Sequence, residues 1–259
     1  MLNYKSYSLS LKKLSLSTSL RQYLYLSDWQ ILHTNTQNKL EGQFGFDTFI
    51  SNNLQNTQKA RTEAELLLIA IQAADLENGL CLELGTYLGR STRVISTFLS
   101  ILYPSAKLFT VDSFEGLPDD WREGFPKGKF ALSEENRPKL PCNCVQLVGL
   151  FSQVLPYLDQ HLKQLGEQTP IPVAFLHVDC DIYLSTKEAL QALYEQGRLV
   201  VGTVIVFDEY GNYNGWENGE HKAFMEFLAY SGFTPRWLAR NVNHEGIAVQ
   251  LSISEHEES

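Results

Sequence analysis

The sequence predicts an α/β protein built on a doubly wound, largely parallel sheet with an antiparallel edge, and three observations carry that expectation. Strand-like and helix-like segments alternate along most of the chain after residue 59. Two apolar, β-branched runs, 173–178 and 203–207, each end on acid residues, as strands buried on both faces do when they run out at a sheet's carboxyl edge. Residues 237–240 and 247–251, joined across Asn243-His244-Glu245-Gly246, close the chain as a hairpin.

The 259 residues, 44% hydrophobic and 20% charged, have the composition of an ordinary globular protein and suffice for one α/β domain with extensions. A net charge of -9 without a basic stripe argues against a nucleic-acid partner. No stretch approaches the roughly 20 apolar residues of a membrane helix. The four cysteines do not make a disulfide framework, and Cys142-Asn143-Cys144 lacks companion ligands for zinc, so reduced thiols and a cytoplasmic location are expected.

Residues 1–27 hold Lys5, Lys12, Lys13 and Arg21 and no acid before Asp28. That composition approaches a transit peptide, but leucine and serine alternate where an amphipathic helix would be needed. The expectation is an N-terminal arm or cap over 1–58, either weakly ordered or contacting other copies in a homo-oligomer, followed by a single domain over 59–259. Within 28–58, Asn, Gln, Thr and Gly with interspersed Phe44, Phe46 and Phe49 indicate irregular structure.

From Lys59, apolar residues recur at helical spacing through Ala74 to a stop at Asn78-Gly79. A strand over 80–84 follows and runs into Glu83-Leu84-Gly85-Thr86-Tyr87-Leu88-Gly89, where glycines let backbone N–H groups approach a ligand ahead of a helix that stops before Pro104. This turn lacks the G-x-G-x-x-G spacing of a dinucleotide fingerprint, which disfavours an NAD-dependent enzyme. The next strand, 107–111, ends on Asp112, where such folds hold ribose hydroxyls. Glu83 and Asp112 are therefore the paired acids expected at a nucleoside ligand; helix-capping acids are the plain alternative.

Residues 113–143, with four prolines and three glycines, form a long loop expected to act as a lid, its Trp121, Phe125 and Phe130 either closing on a ligand or pinning the loop down. A strand over 145–148, a helix over 151–165, the acid-tipped strand at 173–178, a helix over 185–196 capped by Gly197, the strand at 200–207 and a helix over 220–230 complete the alternation. Asp179, Asp181, Asp208 and Glu209 would meet at one mouth of the sheet. Converging carboxylates repel, and an oxygen-only set suits a hard divalent cation, magnesium or calcium rather than zinc.

With the segments ELGTYLGRS, VDSFEGLP, HVDCDIYLSTKEAL and VIVFDEYGNYNGWENGEHKA assembled in this order, the chain resembles a class I S-adenosylmethionine-dependent methyltransferase, most closely the macrocin O-methyltransferase (TylF/MycF) family, over about residues 60–250. The resemblance implies a Rossmann-like seven-stranded sheet with an antiparallel C-terminal hairpin and a magnesium-dependent O-methyltransferase acting on a small hydroxylated acceptor, often a sugar of a natural product. It places Glu83, Gly85 and Ser91 at the methionine end of S-adenosylmethionine, with Tyr87 and Gly89 in the same turn, Asp112 on the ribose, and Ser113 and Phe114 beside the adenine. Asp179, Asp208 and Glu209 take the metal-ligand positions; Glu209 departs from the family's more usual aspartate.

For proton removal, Asp179 is the expected base. His177 shares its strand face and either orients it, serves as base itself, or is a satisfied core histidine. His221 is a further base or a solvated helix residue; Asp181 may instead cap the following helix. Tyr210 and Tyr213 line an acceptor pocket or pack their loop. The rival from another class is a non-catalytic nucleotide-binding or assembly protein on the same fold.

Overall fold

The computed structural model describes residues 43–167 and 169–254. The expected arm falls outside them over residues 1–42. What is described of the cap is compact: a helical turn α1, Phe46–Phe49, continues through Ile50–Leu54 and buries Phe46 and Leu54.

The sheet has eight strands in the order β1-β7-β8-β6-β5-β2-β3-β4. Seven match the expected ones: β2 Leu80–Leu84, β3 Leu108–Asp112, β4 Cys144–Val148, β5 Val173–Val178, β6 Val204–Phe207, β7 Thr234–Asn241 and β8 Ile247–Ser252. The eighth, β1 Gln58–Ala60, lies parallel to β7, pairing Gln58 with Ala239 and Ala60 with Asn241. It corrects the reading of Lys59-Ala60 as the start of a helix. That helix, α2 Glu63–Ala73, begins only after Thr62, whose Oγ1 accepts the Glu65 N–H at 3.1 Å, while Glu65 Oε2 accepts the Arg61 N–H at 2.6 Å.

Helix α3, Arg90–Leu102, follows β2. The expected helix at 151–165 is broken into α4 Phe151–Val154, a 3-10 turn Leu155–Tyr157 and α5 Leu158–Gln164, because Pro156 has no N–H to continue the ladder. Helices α6 Tyr183–Glu195 and α7 Glu220–Ser231 complete the set. One face of the sheet packs α2 and α3 through Leu67, Ile71, Val94 and Phe98. The other packs α4 to α7 through Val154, Leu158, Leu190 and Phe224. Strand alternation decides which side chain faces which layer: Cys81 and Phe175 turn to the first, Leu82 and Leu176 to the second.

Strand β8 runs antiparallel to both neighbours, as the terminal hairpin requires. From β2 the chain winds outward through β3 and β4, then returns to pair β5 on the other side of β2. That reversal is the switch point of the sheet, where adjacent crossovers diverge and leave a crevice at the strand ends.

Candidate active site

A cleft of about 690 Å³ occupies this crevice. One wall of it is the glycine turn. Gly85 has φ +92°, and a Cβ there would stand 1.9 Å from the Asp179 carbonyl oxygen, so only glycine lets β2 and β5 end this close together. The Asp179 N–H donates to the Leu84 carbonyl at 2.9 Å, tying the two ends. Gly89, at φ +73°, turns the chain into α3, with Leu140 of the lid where a Cβ would go.

Asp112 anchors this turn. Its Oδ2 accepts the N–H groups of Thr86 and Tyr87, and its Oδ1 accepts that of Phe114, all at 2.8 Å. A carboxylate offers about four acceptor sites. Three are therefore spent on the protein, and the remainder faces the cleft, which Asp112 lines beside Gly85, Tyr87, Ser91 and Ser113. Phe114 does not line it: the ring is buried under the Arg137 guanidinium, 5.1 Å away. Thr86, not singled out in the sequence, does line it and has a buried Oγ1 without a partner.

Glu83 and His177 are not brought to the cleft. Alternation turns both toward the α2/α3 layer, where each is 0% exposed. Glu83 Oε2 accepts the Thr92 hydroxyl at 2.5 Å, and Glu83 Oε1 lies 3.1 Å from His177 Nδ1. Burial works to lower the His177 pKa, but the hydrogen bond to Glu83 and the charges of Glu83 and Asp208 outweigh it and raise it. These two side chains form a buried brace between β2 and β5; neither can touch a ligand in the cleft.

Another part of the cleft is acidic. Carboxylate oxygens of Asp179, Asp181 and Glu209 all lie within 4.8 Å of one another. Asp208 lines the same cleft but is not in this converging trio. Asp181, at φ +62°, does not cap α6, whose first turn has no side-chain cap. Burial first, then neighbouring carboxylates, raises the pKa of all three, and Asp181 is pushed up to about 7. Glu63, invisible to sequence reasoning, joins this field from α2: burial and Asp208 push it up to about 7, while Arg90 bonds it at 2.9 Å.

The other aromatic and imidazole candidates pack. Tyr210 is fully buried, and Tyr213 nearly so. His221 sits among Trp216, Tyr210 and Phe49, with ring centroids 4.7, 5.1 and 5.2 Å away, and burial lowers its pKa to about 4. The lid is folded on itself: Leu117 and Gly128 or Lys129 exchange backbone bonds at 2.8 Å. Its tip is pinned where Arg122 bonds Glu245 in the β7–β8 turn at 2.9 Å and stacks 3.9 Å over Trp121. Gly116, Leu117, Pro118 and Phe130 of the lid line the cleft. A smaller groove of about 240 Å³ between α6 and α7 contains none of the expected residues.

Among solved structures, the fold is similar to that of CalS11, a calicheamicin methyltransferase, at 18% identity and a TM-score of 0.54, over 90% of this chain and 97% of that one. CalS11 is also described as a TDP-rhamnose 3'-O-methyltransferase. The O-methyltransferase NovP is similar at 22% identity and a TM-score of 0.52, over 73% of this chain and 77% of that one. Such identities show the shared fold alone. No curated protein matches the sequence significantly. The family model described as macrocin O-methyltransferase (TylF) matches residues 62–229. Because that match spans the glycine turn, Asp112, the lid and every carboxylate of the trio, the chain belongs to the TylF macrocin O-methyltransferase family and is an S-adenosylmethionine-dependent O-methyltransferase.

Proposed function

We propose that the chain methylates a hydroxyl of a small hydroxylated acceptor, a sugar or another natural-product intermediate, with a divalent cation, Mg²⁺ foremost, held by Asp179, Asp181 and Glu209. The carrying observation is the trio's convergence within 4.8 Å, together with a buried Glu209 Oε2 that has no partner. An all-oxygen donor set of like charges fits a hard cation. Asp208, expected among the ligands, adds its charge from beside the trio.

The donor's sulfonium supplies an electrophilic methyl group, and a bound divalent cation would lower the pKa of the acceptor hydroxyl. The protein's own share is placement and proton removal. Gly85, Ser91 and the Asp112-braced turn hold the donor on one side of the cleft. The trio shares that cleft and supplies the carboxylate oxygens that would hold the cation and take the proton. Asp179 is assigned the proton from the acceptor, with Asp181 as its partner in the same field.

Support for the acceptor class comes from the family and from what CalS11 is described as methylating. Four free cysteines suit a reducing, cytoplasmic setting, and a homo-oligomer using the N-terminal arm belongs to the same proposal. The test is methyl transfer in extract supplied with S-adenosylmethionine, read as a mass gain of one methylene. Asp179→Asn and Asp181→Asn are expected to lower the rate by about 100-fold or more, and excess chelator to abolish it. Full transfer by either variant, or in chelator, rejects the roles assigned.

A further inference from the structure

Glu220 opens α7 directly behind the acidic mouth and is 0% exposed. Its Oε2 accepts the Glu209 backbone N–H at 3.1 Å, and the Cys180 amide faces the same carboxylate. Cys180 stands between Asp179 and Asp181. One side chain is therefore hydrogen-bonded to the end of β6 at Glu209 and lies beside the Cys180 amide that follows β5. Just before Glu220, Gly219 leaves room for Tyr213, whose Oη would stand 2.1 Å from a Cβ at that position. Glu220 Oε1 and Glu209 Oε2 are both buried and without partners, so the two carboxyls share a desolvated pocket.

We infer that Glu220 is a positioning residue for methyl transfer: through its hydrogen bond to the Glu209 amide it holds Glu209 in place against Asp179 and Asp181. The inference rests on the reading of the trio as the reacting site. Burying a carboxyl is unfavourable unless hydrogen bonds offset the loss, and the bond that does so here is made to the backbone of Glu209, which the site needs held. Outer groups that orient ligand-bearing residues act in this way. Glu220 does not line the cleft, so its effect is indirect.

The test compares full-length wild type, Glu220→Gln, which keeps a carbonyl acceptor, and Glu220→Met, which keeps length and loses it. Amide hydrogen exchange is followed in peptides covering 179–182 and 208–211, with S-adenosylhomocysteine binding and Mn²⁺ titration measured alongside. Glu220→Met is expected to speed exchange at these amides by about tenfold or more and to weaken Mn²⁺ by about tenfold. Glu220→Gln stays near wild type in both, and S-adenosylhomocysteine affinity stays within about twofold throughout. Should Glu220→Met fail to fold, Glu220→Leu, which also lacks an acceptor for the Glu209 N–H, is expected to loosen the same amides. Unchanged exchange, or Glu220→Gln as disturbed as Glu220→Met, overturns the inference. Absence of Mn²⁺ binding by wild type counts against the cation reading and not against Glu220, whose contacts the exchange comparison decides.

Discussion

Gly85 and Asp181 show how single residues set the site. At Gly85 a Cβ would overlap the Asp179 carbonyl, so Gly85→Ala must push β5 away or strain a left-handed residue, the strain alone being about 1–3 kcal/mol. The expected outcome is loss of S-adenosylhomocysteine binding by calorimetry, together with a lowered melting midpoint. Asp181 gives a pH test. Its folded pKa of about 7 exceeds the roughly 3.9 of an unfolded aspartate. The folded chain thus keeps a proton that the unfolded chain has released, and the cation-free protein loses stability as pH rises from about 4 to 7. Cation binding needs the charged carboxylates, so saturating Mg²⁺ is expected to raise the melting midpoint more near pH 8 than near pH 5. Asp181→Asn should flatten that difference. Gly85 and the meeting of four acids at one mouth were legible because strand ends and glycine turns announce themselves in one dimension, but which three converge was not: Asp208 was expected among them and Asp181 stands there instead. Glu63, Thr86 and Glu220 were not, since only packing shows that a helix-start glutamate points inward. Glu83 and His177 misled because strand alternation near the mouth turned them into the α2/α3 layer.

At the scale of elements, the loop between β6 and α7 is held by pieces remote in the chain. Phe46 of α1 lies edge-on to Trp216 at 4.9 Å and fills the space a Gly211 side chain would need. Trp216 Nε1 donates to the Phe44 carbonyl at 3.1 Å. Phe46→Ala is expected to cost about 3–5 kcal/mol in urea denaturation; a loss below the error of extrapolation would show that α1 is not a buttress. On the opposite wall, Arg122→Ala removes the Glu245 bond and the stacking on Trp121. It should speed proteolysis within 113–143 while leaving β-sheet circular dichroism unchanged. The lid was legible from its length and its proline and glycine content. Strand β1 was not, because three polar-leaning residues gain strand geometry only by pairing with β7, some 180 residues away.

For the molecule as a whole, the decisive feature is the reversal of winding between β2 and β5, which brings the glycine turn and the acidic trio to one cleft. Alternation of strands and helices made the fold class legible, but strand order depends on contacts no local pattern encodes. The family assignment excludes the non-catalytic rival, and the sheet's direction of opening explains how one domain presents a donor turn and an acidic wall together. The most direct measurement is a crystal structure with S-adenosylhomocysteine and Mn²⁺, using the metal's anomalous signal. One peak in the cleft with oxygens of Asp179, Asp181 and Glu209 at about 2.0–2.4 Å is the predicted result. A cleft with S-adenosylhomocysteine bound and no peak on these carboxylates would contradict it.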